Sequence, residues 1–363
     1  MSIRHCASSL AAEAAGCGAP NGFNAGLWRL SRSDAGDAAE APRGGPRPTT
    51  PTAAALEAAR RGIPDLIADN IKSETFFWSV ELIPGTTPLL RSLLDESLQH
   101  LARHRPAFAS VTWHVDHLAV RGPDGPEQVE HPAMALSARL QDEHGIPALM
   151  HLAAGRMAKQ HVHAVLQACL VAGVTNILAL RGDYKVNADA DFPHASDLVH
   201  FIRKNFGDKF KIGVAGYPSG HPDSKSREMN FVHLKEKVDA GADFILTQMV
   251  SSAEEFNLFK QECDNREIRI PIIPGLFLIE SYKMFEKLIR TCNILVSKEI
   301  LDAMKQIKDE NKEREYGKCL FLNLVVDLMK LSSCPGAHIF SMNRVTTATK
   351  VLDEARIFHD AIE

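Results

Sequence analysis

The seven cysteines of this chain form no pairs: Cys6, Cys17, Cys169, Cys263, Cys292, Cys319 and Cys334 are scattered and odd in number, with no C-x-x-C spacing. That excludes a zinc knuckle and a disulfide framework, and it reads as reduced thiols in a cytoplasmic protein. No apolar run approaches the roughly 18–20 residues that span a bilayer, so no membrane partner is expected. A basic balance is missing too. At a formal net charge of -4 the chain lacks the field that holds nucleic acid or an anionic membrane. There is no G-x-S-x-G, no G-x-x-x-x-G-K-[ST] and no lysine squarely inside a strand, which removes the nucleophile elbow, the phosphate loop and Schiff-base chemistry.

What is present begins near residue 70. Residues 1 to about 50 are rich in Ala, Gly, Pro, Ser and Arg without a sustained period, too poor in apolar surface to offset ordering entropy. Residues 1–70 are therefore expected to be a disordered extension, with a short helix over "ALEAARRG" (55–62). Sparse arginine and Glu13 tell against a transit peptide. Beyond it, short apolar runs recur: "FFWSVELIP" (76–84), "FASVTWH" (108–114), "PALMHLA" (147–153), "NILALRG" (176–182), "KIGVAGYP" (211–218), "DFILTQMV" (243–250), "IPIIPGLFLI" (270–279) and "AHIFSMN" (337–343). Segments of helical period separate them, such as 194–206 and 227–242, the latter stopping at Gly241. Eight strand–helix units imply parallel strands joined by crossover helices, and a (β/α)8 TIM barrel over residues 71–363. The rival, a doubly wound open sheet, wants a glycine-rich turn after its first strand, and "ELIPGTTP" has no G-x-G-x-x-G.

Barrel enzymes place their chemistry at the C-terminal ends of the strands. Those positions hold Glu81, Thr112–Trp113–His114, His151, Arg181–Gly182–Asp183, Tyr217, Gln248, Gly275 and Asn343–Arg344. Singly, each reads as a strand-terminal polar residue turning to water; a purely structural barrel gives no reason for the whole set. No metal-ligand set emerges. His161 and His163 stand two apart on a helix and face apart, and "WHVDH" (113–117), with His114, Asp116 and His117, has no partner pair from another strand. A metal-dependent hydrolase built on that cluster stays open as a remote reading. One acid at the first strand's end, a second beside a glycine, and an amide suit proton delivery and the orientation of a heteroaromatic ligand.

The strings "LRGD", "GVAGYPSGHPDS", "LKEKVDAGADFILTQ" and "IPIIPG", in one order and at one spacing, resemble the methylenetetrahydrofolate reductase family over about residues 74–360. The resemblance implies hydride transfer in two halves. NADPH or NADH reduces bound FAD and leaves, and 5,10-methylenetetrahydrofolate then accepts the hydride. By the same resemblance Glu81 is the general acid that protonates N10 as the ring opens, its pKa raised among Val80, Leu82 and Ile83. Asp183 holds the pterin and meets the cofactor, and Arg181 and Gly182 meet the flavin. Thr112, Trp113, His151, Ala195, Tyr217, His221, Pro222, Asp223, Ser224 and Lys237 match further cofactor positions. At two more, His194 and Asn230 replace a tyrosine and an aspartate. Gln248, Tyr282, Phe340 and Arg344 match substrate positions, with Tyr282 the stacking face and Arg344 near the folate tail. A homo-oligomer is compatible with the resemblance, since related barrels associate.

The departures concentrate on the folate side. "VELIPGT" keeps the acid but loses the aromatics and arginine that family members carry there, and "HLA" (151–153) loses a hydroxyl. Val250 and Ser251 stand for an aromatic pair. "LFLIESY" puts Leu278 for proline and Glu280 for glutamine, and Phe340 lacks a tyrosine's hydroxyl. These motivate an alternative reading, a flavin-binding barrel with degraded folate chemistry in a regulatory or partner-binding role. The chain stops about twenty residues past its last strand, so no adenosylmethionine-binding regulatory domain and no inhibition by that ligand are expected.

Overall fold

The computed structural model describes residues 29–30, 51–85, 87–114, 118–121, 128–183 and 189–360. Eight parallel strands form the centre: β1 (Thr75–Leu82), β2 (Ala109–Val111), β3 (Ala148–Ala153), β4 (Asn176–Leu180), β5 (Lys211–Gly216), β6 (Phe244–Met249), β7 (Ile272–Phe277) and β8 (Gly336–Phe340). Each pairs with its sequence neighbours, and β1 pairs with both β2 and β8, so the sheet closes on itself. The closed (β/α)8 barrel matches the expected class, strand by strand. Arg29–Leu30 adds a short parallel pairing to the foot of β1. The rest of residues 1–50, expected to be disordered, lies outside the described residues.

Burial follows from connectivity. Crossover helices cover the outer face and the barrel fills its own interior, so the strands are buried on both sides and read as near-continuous apolar runs. Outward residues such as Val80, Val111, Met150, Ile177, Val214 and Ile245 belong to one cluster with the helices. Alternate residues point to the axis. The lower axis is packed by Phe77, Phe108, Leu149, Leu178, Phe244, Leu246 and Ile273.

Two helices precede the barrel. α1 (Ala53–Ala59) falls on the expected short helix and is capped by Thr52. α2 (Ile63–Lys72) belongs to the barrel rather than to the extension, so the folded body starts before the boundary composition suggested at residue 70. Ile63 and Ile67, one turn apart, close the lower axis. The Ile63 N–H donates to Asn176 Oδ1 (2.9 Å), and Asn176 Nδ2 donates to the Arg61 carbonyl (3.2 Å), which ties this plug to the first residue of β4.

The rim is shaped by helices that start from side-chain caps: α3 (Pro88–His104) from Thr87, α4 (Pro132–His144) from His131 and α7 (Arg227–Asp239) from Ser226. α5 (Lys159–Val171) and α6 (Ala195–Phe206) complete the first half. The expected stop at Gly241 holds: its φ is +110°, and a Cβ there would lie 3.0 Å from the Arg203 side chain. On the other side stand α8 (Ala253–Asn265), α9 (Tyr282–Cys292), α10 (Lys298–Gln306), α11 (Glu310–Met329) and α12 (Val345–Asp360). No helix among the described residues is long and apolar enough to cross a membrane.

Candidate active site

The two-residue strand period carries the axial face upward from the apolar base to the rim. On β1 it runs Phe77, Ser79, Glu81, and on β8 it runs Gly336, His338, Phe340. Above the apolar layer sits a polar one. His338 Nδ1 lies 2.8 Å from Ser79 Oγ and Nε2 lies 3.1 Å from Ser110 Oγ, so one imidazole bridges β1, β2 and β8. Burial, and then the neighbouring His151, pull its pKa down to about 3, so the ring is neutral. Nothing in the sequence marks His338, because both partners come from strands about 230 to 260 positions away.

Glu81 stands one layer higher and half-buried. Thr112 Oγ1 donates to its carboxylate at 3.2 Å. Burial pushes the Glu81 pKa up to about 7, only partly offset by that hydrogen bond. Its backbone is held by two side chains from the turn after β8. Ser341 Oγ donates to the Glu81 carbonyl (2.8 Å), and the Asn343 amide both accepts from Ile83 N–H and donates to Ile83 C=O, each at 2.8 Å. Replacing Asn343 by alanine unpairs both backbone groups and is expected to lower unfolding free energy by about 2–3 kcal/mol. Denaturant titration checks this; a change within about 0.5 kcal/mol would show that water satisfies Ile83 instead.

Across the rim, Gly182 adopts φ +94° just after β4 and turns the chain so that Asp183 is exposed. The Asp183 charge is felt at Tyr217, whose phenol is pushed up to about 12 by burial first and Asp183 second. Burial, then Asp183, then Glu81 also raise the Cys292 thiol at the end of α9. The charges of both carboxylates are therefore felt at Cys292. Asn293 Nδ2 donates to the Ser219 and Gly220 carbonyls, which ties the end of α9 to the loop after β5.

The expected cofactor positions gather on the β3–β5 side. Arg181 Nη2 pairs with Asp223 at 2.8 Å, and Asp223 N–H donates to His221 Nδ1. Tyr217 and His221 meet edge to face at 4.6 Å, and Asn230 Nδ2 donates to the Tyr217 carbonyl. Pro222 and Ser224 complete that loop, where Ser224 Oγ donates to the Ser226 carbonyl. His194 caps α6 and stacks on His233 at 5.7 Å, with Ala195 the first residue of that helix.

Two buried polar groups here remain incompletely answered by the protein. Lys237 is 9% exposed and donates to the Ala215 carbonyl, with its ammonium 5.6 Å from the Tyr217 ring centre. No carboxylate among the described residues lies within ion-pair distance, and burial pulls its pKa down to about 8. His151 is 6% exposed, its Nε2 has no hydrogen-bond partner, and burial followed by His114 lowers its pKa to about 4. A buried cation and a neutral buried imidazole suit a ligand that brings an anion and ring heteroatoms.

Trp113 follows the end of β2, and its buried Nε1 has no hydrogen-bond partner among the described residues. Its ring is 4% exposed, packs in the layer between strands and helices, and stacks on His131 at 3.4 Å. His131 Nδ1 accepts from Ala133 N–H, so Nε2 carries the proton and donates to the His114 carbonyl (2.8 Å). In "WHVDH", Asp116 and His117 lie outside the described residues.

The expected substrate positions occupy the β6–β8 side. Gln248 Oε1 accepts from Met249 N–H, and no described hydrogen bond uses its Nε2. Gly275 has no room for a side chain: a Cβ would lie 2.5 Å from both the Phe340 ring and the Thr247 carbonyl, so glycine lets Phe340 lie across the rim. Tyr282 opens α9, and its hydroxyl is 3.5 Å from Glu286. Arg344 donates from Nη1 to the Glu280 carboxylate.

The family model of methylenetetrahydrofolate reductase matches residues 66–356. Methylenetetrahydrofolate reductase 2 of Schizosaccharomyces pombe is 34% identical over 285 residues, covering 74% of this chain and 42% of that protein. Methylenetetrahydrofolate reductase (NADH) 1 of Arabidopsis thaliana is 30% identical over 320 residues, covering 80% and 52%. The chain thus spans about half the length of these curated relatives. Among solved structures, a Clostridium thermocellum protein that binds two copies of 5-methyl-5,6,7,8-tetrahydrofolic acid superposes with a TM-score of 0.53 at 14% identity, covering 80% of this chain and 99% of that one, a likeness of fold alone. With the matched region taking in all eight barrel strands and every rim residue above, the chain belongs to the methylenetetrahydrofolate reductase family.

Proposed function

We propose that this chain reduces 5,10-methylenetetrahydrofolate to 5-methyltetrahydrofolate, with NADPH or NADH as donor and FAD as the resident cofactor, in a cytoplasmic setting. Bound FAD supplies a two-electron carrier that serves donor and folate in turn. The observation that carries the reading is Glu81: a half-buried carboxyl at the C-terminal end of β1, given one hydroxyl donor by Thr112, with its pKa pushed up to about 7 by burial. Such a group holds a proton near neutral pH and can release it to a substrate nitrogen.

The chain's own residues divide the remaining work. Lys237 supports the reading as the cation for an anionic part of the cofactor, and His151 as a neutral ring donor or acceptor. Arg181, fixed by Asp223, offers guanidinium donors beside Gly182. Gln248 and Asp183 orient the pterin, and Tyr282 and Phe340 offer faces for stacking. Glu81 then delivers its proton to N10, with Asp183 stabilising the cation left at N5.

A second reading, a flavin-binding barrel with degraded folate chemistry, is favoured by one contact: Arg344, expected at the folate tail, is already engaged by Glu280. Purified protein offered FAD is expected to retain it through gel filtration and turn yellow, and NADPH or NADH is expected to bleach that colour anaerobically. Protein that stays colourless after incubation with FAD contradicts both readings.

A further inference from the structure

A cavity of about 150 Å3 opens at the rim between the ends of β7 and β8. Phe277, Ile339 and Phe340 give it apolar walls on the barrel side, Leu93, Met284 and Ala348 close it from α3, α9 and α12, and Glu280 and Arg344 also line it. A space of about 150 Å3 lined by apolar side chains accepts one benzene-sized ring. The pair is unequal in shielding: the Glu280 side chain is 19% exposed and that of Arg344 is 55% exposed. The cation therefore faces solvent, and the anion sits deeper, against the apolar wall.

We propose that Glu280 sets affinity for the anionic tail of the substrate by occupying Arg344 itself. This rests on the folate reading above. The cavity takes the aryl ring of an aminobenzoyl-glutamate tail, and Arg344 is the cation within reach of the carboxylates that follow. An ion pair this exposed contributes little net stability, so an incoming carboxylate exchanges with Glu280 readily. Glu280 then remains beside the site, half-shielded and without its cation, and repels the tail it has admitted. Binding weakens most for tails with several carboxylates and not at all for a pterin without a tail. Glutamine at 280 keeps the shape and an acceptor oxygen but removes the charge, which frees Arg344 for the ligand.

The test uses FAD-loaded protein and direct titration calorimetry with 5-methyltetrahydrofolate as a triglutamate, and with the corresponding pterin lacking the aminobenzoyl-glutamate. Glu280→Gln is expected to bind the triglutamate about tenfold more tightly than the parent, with the gain reduced by salt and the tail-less pterin unaffected. The gain should vanish on an Arg344→Gln background. Equal affinity of parent and Glu280→Gln for the triglutamate overturns this inference and leaves the reductase reading standing. So does a gain that survives Arg344→Gln. If neither parent nor variant binds any folate while both retain FAD, the folate reading falls and this inference with it.

Discussion

Glu81→Gln is expected to leave bleaching of the flavin by NADPH or NADH within about twofold of the parent rate. The same change should slow reoxidation by methylenetetrahydrofolate by about 10²–10⁴-fold, the range a positioned general acid supplies. Glutamine keeps the size of the side chain and can still accept from Thr112 Oγ1, so packing at the rim is conserved while the transferable proton is lost. The pH dependence follows from the raised pKa. The protonated acid is the working form, present below about pH 7 and lost above it. The folate half-reaction of the parent should therefore fall about tenfold per pH unit beyond that point, while donor-driven bleaching lacks this limb. Stopped-flow absorbance resolves the two halves. Equal losses in both, or an unchanged pH limb in the variant, would place the proton elsewhere.

The second large effect is expected at Lys237. Replacing it by methionine retains most of the buried stem but removes the ammonium, and FAD affinity should fall by roughly ten- to a hundredfold, the worth of one charge-assisted hydrogen bond. Without cofactor the same change should stabilise. In the folded protein the lysine loses its proton near pH 8, whereas an ordinary lysine keeps it to about 10.5. Between those values the unfolded chain binds more protons, so stability of the cofactor-free parent rises with pH across that window, and the penalty of burying the cation is felt fully below pH 8. Lys237→Met should flatten the rise and melt higher at pH 7. A variant that binds FAD normally, or melts lower without it, shows that Lys237 serves packing.

Much of this was legible in the sequence because parallel barrel strands are buried on both faces, so the eight apolar runs stand out from the helices between them. The rim was legible too, since Glu81 and Gln248 each stand one residue before the end of a strand, a place polar residues reach only for water or for a ligand. What escaped depends on contacts between distant residues. His338 looks like any strand histidine until Ser79 and Ser110 close on both its nitrogens. Asn343 reads as one more polar residue of the rim, and only the fold shows its amide clamping Ile83, 260 positions earlier. α2 escaped because it is short and follows a low-complexity stretch; only the open base of the barrel explains why Ile63 and Ile67 are apolar. Trp113 matches a cofactor position only by the resemblance; its stacking on His131, whose ring also caps α4, is visible only in the fold.

The central claim is that residues from all round the rim serve one cofactor and one folate in turn. Anaerobic mixing tests it most directly: FAD-loaded protein is bleached with excess NADH or NADPH, freed of donor, and mixed with 5,10-methylenetetrahydrofolate. Full return of the yellow colour is expected, with one 5-methyltetrahydrofolate formed per flavin. Flavin that stays bleached in the presence of demonstrably bound folate would contradict it.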